Sequence, residues 1–367
     1  MQRSLPPFRA DHVGSILRTG PLKEARVKRA SGQISAADLA AIENAEITKI
    51  IARQEQVGLN AITDGEFRRA YWHFDFLSGL DGVAMVEAPG IAFAGVTSKA
   101  EAPFVKGKLG SRQHPQIEHF KFLAAHTTRT PKMTIPSPSM LHYRGGRNMI
   151  DRTTYPTMEA FYHDLGQAYK DAIRGFYAAG CRYLQLDDCS FAYLCDTKQR
   201  KMLADRGDDP DRQGEIYAGM INAALEGRPA DLVVTTHVCR GNFRSTFIAS
   251  GGYEPVADLL FNRVNVDGYF LEWDSDRAGG FEPLRFLPKN KTVVLGLITS
   301  KTGTMEQKDI IMRRIEDATR FVPIEQLCLS PQCGFASTEE GNVLAEEEQW
   351  AKLRRIVEVA EEVWDSE

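Results

Sequence analysis

His237 and Cys239 stand two residues apart, directly after the β-branched run Leu232-Val233-Val234-Thr235. The run reads as a buried strand, and residues two apart on a strand point to the same side. An imidazole nitrogen and a thiolate can therefore aim at one point, a two-ligand seat for a soft or borderline cation such as zinc. Two later residues could complete a tetrahedral set. Glu272 closes the apolar run Gly268-Tyr269-Phe270-Leu271, and Cys333 follows Leu329-Ser330-Pro331-Gln332. A His-x-Cys pair alone is a weak signal, because buried cysteines and core histidines are common. The four gain weight together, since each lies at the C-terminal end of a predicted strand.

Other polar residues occupy equivalent places. Val13-Gly14-Ser15 ends a first candidate strand around Arg9–Val13. A small-residue corner there lets a ligand approach backbone amides, although a plain tight turn has the same composition. Glu66, in Asp64-Gly65-Glu66, reads equally as a pocket carboxylate for an ammonium group or as an acid at a helix N-terminus. Asp187 and Asp188 follow the strand Tyr183–Leu186. In a long chain with no apolar leader, the six cysteines read as thiols rather than disulfides. Cys181 and Cys328 look inert, Cys239 and Cys333 look like ligands, and Cys189 and Cys195 stay undecided.

The elements that must position these residues alternate along the chain. A helix capped by Ser35, with Asp38 three residues on, runs to Gly58 and is followed by a short strand. Residues 80–115 break the rhythm with short apolar segments interrupted by Pro89-Gly90 and Gly107, which predicts a β-hairpin insertion covering one mouth of the main body. Thereafter helices near 116–126, 157–178, 212–225, 306–320 and 344–363 alternate with short β-branched strands, and Pro136–Ser139 reads as a loop. About eight such units with short connections predict a single (β/α)8 TIM barrel domain over residues 1–367. Ser15, Glu66, Asp187, His237, Glu272 and Cys333 would then share the face on which such barrels build their active sites. An open doubly wound sheet is the alternative, but no Gly-x-Gly-x-x-Gly follows the first strand.

Composition sets outer bounds. Among 367 residues, 43% are hydrophobic and 26% charged, with a formal net charge of −4 and no basic stripe, so no nucleic-acid partner is expected. No apolar run is long enough to span a bilayer, and the N-terminus lacks a signal peptide's apolar core. A cytoplasmic protein is expected, with a homodimer carried as its candidate assembly.

The segments quoted above resemble the cobalamin-independent methionine synthase family in its shorter, single-barrel form. That resemblance, running from His12-Val13-Gly14-Ser15 nearly to the C-terminus, assigns His237, Cys239, Glu272 and Cys333 as zinc ligands. It implies Val13-Gly14-Ser15 as the corner receiving the carboxylate of homocysteine, and Glu66 and Asp187 as partners of its amino group. The implied activity is methyl transfer to the homocysteine thiol, giving methionine, with 5-methyltetrahydrofolate or a methyl-corrinoid as donor. Two departures mark the donor side. The long forms carry a tryptophan where this chain has Pro136-Ser137-Pro138, and a histidine where it has Thr299. Lys301, Asp188 and His142 are the candidates for protonating the leaving group. Three rivals stand beside this reading: a related alkyltransferase with another thiol acceptor or donor, a zinc hydrolase or lyase, and a structural zinc protein. Two cysteines would make bound water a poorer acid, and scattered ligands are unlike a structural site, so the thiol alkyltransferases lead.

Overall fold

The computed structural model describes residues 3–90, 92–93, 96–98 and 100–364. Its strands are β1 (Ala61–Ile62), β2 (Asp81–Glu87), β3 (Ala92–Phe93), β4 (Val96–Thr97), β5 (Glu101–Gly110), β6 (Thr130–Pro136), β7 (Tyr183–Asp188), β8 (Val233–Val238), β9 (Gly268–Glu272), β10 (Thr292–Ile298) and β11 (Leu327–Pro331). Seven of them form one parallel sheet in the order β1-β6-β7-β8-β9-β10-β11. Every residue of β7, β9, β10 and β11 is buried, as a sheet covered on both faces requires. Neighbours in the sheet are neighbours in sequence, so each crossover passes through helix and leaves all the strand C-termini on one face.

The sheet curls as in a TIM-like barrel, and the N-terminal segment lies between its two ends. Ala10 bridges Leu329 in parallel, the Asp11 amide donates to Leu329 at 3.0 Å, and the Leu329 amide donates to Arg9 at 2.8 Å. On the other side His12 Nε2 meets the Ala61 carbonyl at 3.1 Å, and the Ile16 amide donates to Gly65 at 3.1 Å. Arg9–Val13, predicted as a full strand, makes only this single bridge. Its polar residues turn inward instead: Asp11 accepts from the Phe8 and His12 amides, from Tyr183 and from Lys132.

Lys132 and Asp11 are both fully buried, 3.1 Å apart, and the ammonium also lies 4.1 Å from the centre of the Phe270 ring. Removing one partner of such a pair strands the other's charge out of water. Lys132→Met is therefore expected to cost about 3–5 kcal/mol of unfolding free energy in a urea titration. A loss under about 1 kcal/mol would show that the pair is not needed to hold this end of the sheet.

The helices follow local chemistry. Ser35 and Asp38 form a reciprocal capping box ahead of Ala36–Val57, and Gly58 ends that helix at φ 107°, a left-handed value that glycine adopts without strain. Met158–Ala178 buries a stripe running from Phe161 through Leu165, Tyr169 and Ile173 to Phe176. The last helix, Glu346–Trp364, buries Trp350, Leu353, Ile356, Val359 and Trp364. Several helices were not expected, Phe74–Leu77, Ser190–Leu194 and Thr197–Asp205 among them, and two more have a plain cause. Gly20–Ala30 buries only Leu22 and Ala25, too few apolar residues to set a period. Ser139–Tyr143 replaces the predicted end of a loop, because Pro136-Ser137-Pro138 initiates a turn of helix rather than prolonging the loop.

Within the expected 80–115 insertion, β2 and β5 pair antiparallel, as do the short β3 and β4. Residues 91, 94, 95 and 99 of that stretch lie outside the described residues. The paired strands run beside the segment before Met158–Ala178: Val105 bridges Ile150, the Leu109 amide donates to Tyr155 at 2.8 Å, and Lys108 pairs with Asp164 at 3.1 Å.

Candidate metal centre

The C-terminal ends of β8, β9 and β11 deliver four side chains to one point. Register brings this about: His237 lies opposite Phe270, two residues before Glu272, and Glu272 lies opposite Gly296, which lies opposite Ser330. The Gln332 amide donates to Ile298 at 2.8 Å and carries the chain on to Cys333. One ligand atom from each of His237, Cys239, Glu272 and Cys333 lies within 4.8 Å of the others. All four residues are buried.

Each member is held in a way that leaves a donor atom toward the shared point. His237 Nδ1 lies 3.3 Å from the Phe270 carbonyl, while its Nε2 is buried with no hydrogen-bond partner. A carbonyl can only accept, so this contact suits a proton on Nδ1, and in that neutral tautomer Nε2 presents a lone pair, the arrangement of a metal-ligating histidine. The Cys239 and Cys333 sulfurs are 3.6 Å apart, too far for a disulfide and close enough to share a cation. Both thiols are pushed well above their ordinary range, Cys239 first by contact with the Cys189 thiol and Cys333 first by contact with Cys239, with burial adding to each. Two thiolates side by side in a dry pocket need positive charge between them. Burial works to raise the Glu272 carboxyl, but Arg277, ahead of Lys301, His237 and the Arg240 amide, holds it below its usual range.

A cleft of about 540 Å³ opens onto this cluster. His237, Cys239 and Cys333 line it, together with Val13, Ser15, Glu66 and Asp187. Glu272 is fully buried behind them. Gly14 also stays off the cleft wall, its carbonyl accepting from the Thr63 hydroxyl. At φ 136°, it lies so close to Thr134 that an added Cβ would sit 2.7 Å from a methyl carbon. Ser15 is locked to the Cys333 loop, its carbonyl accepting from Phe335 at 3.0 Å and its hydroxyl from the Ala336 amide at 3.3 Å.

Glu66 resolves in favour of the cleft. It holds the left-handed φ of 61°, uncommon for a residue with a side chain, right after Gly65 at 65°. The turn aims its carboxyl inward, where Oε1 accepts from Thr134 at 3.0 Å and Oε2 is buried without a partner. Asp187 accepts from Gln185 at 2.7 Å. Burial raises both carboxyls, and for Asp187 the charge of Glu66 is the next cause. Arg69 already lies 3.5 Å from Glu66 Oε1, so the unused Oε2 beside Asp187 is what leaves room for a further cation such as an ammonium group.

A further part of the cleft wall was missed by sequence reasoning. Tyr71 and Trp72 line it, with Arg144, Cys189 and Tyr193. Tyr71 and Trp72 are held there by backbone pairing with the Cys333 loop, Tyr71 bridging Thr338 and the Trp72 amide donating to Ser337 at 2.9 Å. The aromatic run Tyr71–Phe74 just after Glu66 was the available signal. None of the described residues of β2 to β5 lines the cleft. Lys301, Asp188 and His142 are absent from the wall as well. Lys301 donates to Asn242 and Thr246, Asp188 accepts from the Ser139 and Ser190 hydroxyls, and His142 lies 3.1 Å from the Tyr217 hydroxyl.

Comparison with known proteins places this arrangement. Residues 8–362 match the model of the cobalamin-independent synthase catalytic domain. The chain belongs to that family. It is 52% identical to the uncharacterized protein YxjH of Bacillus subtilis over 98% of this chain and 95% of that one. A crystal structure from Listeria monocytogenes, 45% identical and covering 99% of both chains, superposes with a TM-score of 0.81. The 5-methyltetrahydropteroyltriglutamate–homocysteine methyltransferase of a Synechococcus strain is 22% identical over 91% of this chain, which spans 41% of that longer enzyme. Family membership makes the chain methionine-synthase-like and supports a methyltransferase. Among the described residues no helix is long and apolar enough to cross a membrane.

Proposed function

We propose that the chain is a zinc-dependent methyltransferase that moves a methyl group to the thiol of homocysteine, with 5-methyltetrahydrofolate or a methyl-corrinoid as donor. The whole chain would act as one catalytic unit in the cytoplasm, its seven parallel strands and Arg9–Val13 forming the eight staves of a closed barrel. One observation carries the metal assignment: the bare, buried Nε2 of His237 inside a group of two thiols and a carboxylate. The donor set also fits by size. Two sulfurs about 2.3 Å from a tetrahedral zinc lie about 3.8 Å apart, against the 3.6 Å between Cys239 and Cys333.

His237, Cys239, Glu272 and Cys333 would hold the ion. Bound there, zinc supplies one thing: it keeps an incoming thiol ionised near neutral pH without depleting the sulfur's nucleophilicity, because two thiolates and a carboxylate already feed it electrons. The chain's own residues do the rest. Val13 and Ser15 present the corner for the acceptor's carboxylate, Glu66 and Asp187 take its ammonium, and the amino acid's sulfur is thereby directed at the cysteines. The donor enters along the wall of Trp72, Arg144 and Tyr193, whose difference from the expected donor side leaves the two donor classes to the assay.

Zinc-loaded protein incubated with homocysteine and either methyltetrahydrofolate or methylcobalamin is expected to yield methionine with one of them, and none after chelation. Methionine formed at full rate by metal-free protein would overturn the proposal. Alkylation of another thiol, with homocysteine inert, would favour the related alkyltransferase reading.

A further inference from the structure

Glu272 is held differently from its three partners in the cluster. Both of its oxygens are engaged elsewhere: Oε1 accepts from the Arg240 amide at 2.9 Å, and Oε2 accepts from Arg277 Nη2 at 2.8 Å. Arg277 is itself built into place. Its Nη2 lies 2.7 Å from Asp274 Oδ1, its Nη1 donates to Ser275 at 2.6 Å, and its guanidinium lies 5.0 Å from the centre of the Phe247 ring. The Glu272 side chain is fully buried, and those of Asp274 and Arg277 are 3% and 10% exposed. Two carboxylates and one guanidinium thus form a dry ionic group directly behind the cysteines.

Resting on the zinc reading above, we propose that Arg277 is a positioning residue that makes Glu272 the ligand that gives way to the acceptor. A carboxylate released from a cation in a dry site would ordinarily be left charged and unpaired, at a cost of several kcal/mol. Arg277 removes that cost, because it already bonds the oxygen that is to be freed. It also divides the carboxylate's electron density while Glu272 is bound, so this ligand is the weakest of the four. His237 and the two cysteines are not divided in this way. On acceptor binding, Glu272 would give up its place at the ion and the acceptor's sulfur would take it. The thiol's S–H bond breaks and its proton passes to solvent, and Glu272 settles fully onto Arg277 and the Arg240 amide.

The test compares wild type with Arg277→Leu, Arg277→Gln and Arg277→Lys. Zinc affinity is measured by competition with a chromophoric chelator, and homocysteine binding by calorimetry on the zinc-loaded proteins. With a charge-assisted bond to Glu272 removed, Arg277→Leu and Arg277→Gln should hold zinc roughly tenfold to a hundredfold more tightly and bind homocysteine more weakly by a similar factor. Arg277→Lys, which keeps the charge, should lie close to wild type in both. With cobalt(II) in place of zinc, homocysteine should change the visible spectrum of wild type and Arg277→Lys but leave that of Arg277→Gln nearly unaltered. Should Arg277→Leu fail to fold, the Gln and Lys variants carry the comparison. Unchanged zinc and homocysteine affinities in folded Arg277→Gln would overturn the assignment. So would equal weakening of zinc in all three variants, the mark of a residue that merely shapes its loop. Wild type that takes up zinc but no homocysteine would fail the zinc-thiol reading itself, a result separable from either of these.

Discussion

Cys239→Ser and Cys333→Ser are each expected to lose the metal almost completely. Structural four-ligand zinc sites bind with about 10–16 kcal/mol at neutral pH, so one ligand accounts for roughly 3 kcal/mol, a hundredfold or more in affinity. Serine is close to isosteric but does not ionise near neutral pH, and it cannot supply the charge that the buried cluster requires. Metal analysis after dialysis against a weak chelator should give about one zinc per wild-type chain and little in either variant. Methionine formation should fall with the zinc. Thermal unfolding of the metal-free proteins should be nearly unchanged, since the two sulfurs' polar contacts are with each other, with His237 and with the Cys189 thiol. A serine variant that retains both zinc and activity would contradict the assignment of that cysteine.

Glu66→Ala and Asp187→Ala make the second large effect. Each removes a buried carboxyl from the proposed ammonium seat while touching none of the four cluster residues' donor atoms. The apparent homocysteine affinity should fall roughly tenfold to a hundredfold in either variant, the worth of a charge-assisted hydrogen bond, with zinc content unchanged. A pH dependence follows with a definite sign. Burial raises both carboxyls, and Glu66 raises Asp187 further. Lowering the pH through those raised values neutralises the seat, so homocysteine affinity should decline toward acid at a higher pH than an ordinary carboxylate would allow. Asp187→Asn should flatten that decline. Zinc content measured at each pH separates this loss from acid release of the metal. Wild-type affinity in both alanine variants would remove the ammonium assignment.

The four cluster residues were legible in the sequence because strand geometry encodes them locally. His237 and Cys239 share a side of β8 by the two-residue period, and Glu272 and Cys333 each follow a run that could only be a buried strand. The parallel α/β organisation was legible for the same reason: the β-branched runs recur between helices. What was not legible depends on contacts between distant segments. Arg9–Val13 has the composition of a strand, yet Asp11 and His12 turn inward to Lys132 and Ala61, and a single backbone bridge remains. The wall of Tyr71, Trp72, Arg144 and Tyr193 comes from three separate segments, and no periodicity within one of them announces the others. Glu66 was undecided between a helix terminus and a pocket until its left-handed backbone fixed its direction. Arg277 was invisible for a similar reason, since its approach to Glu272 is made by the turn at Asp276–Ala278 rather than by any spacing rule.

The central claim is that four side chains share one zinc ion and that the acceptor's sulfur joins them. Zinc K-edge X-ray absorption of the loaded protein tests this most directly. Two sulfur neighbours at about 2.3 Å are expected without acceptor, and three after homocysteine is added. A first shell of nitrogen and oxygen alone, the same in both samples, would contradict it.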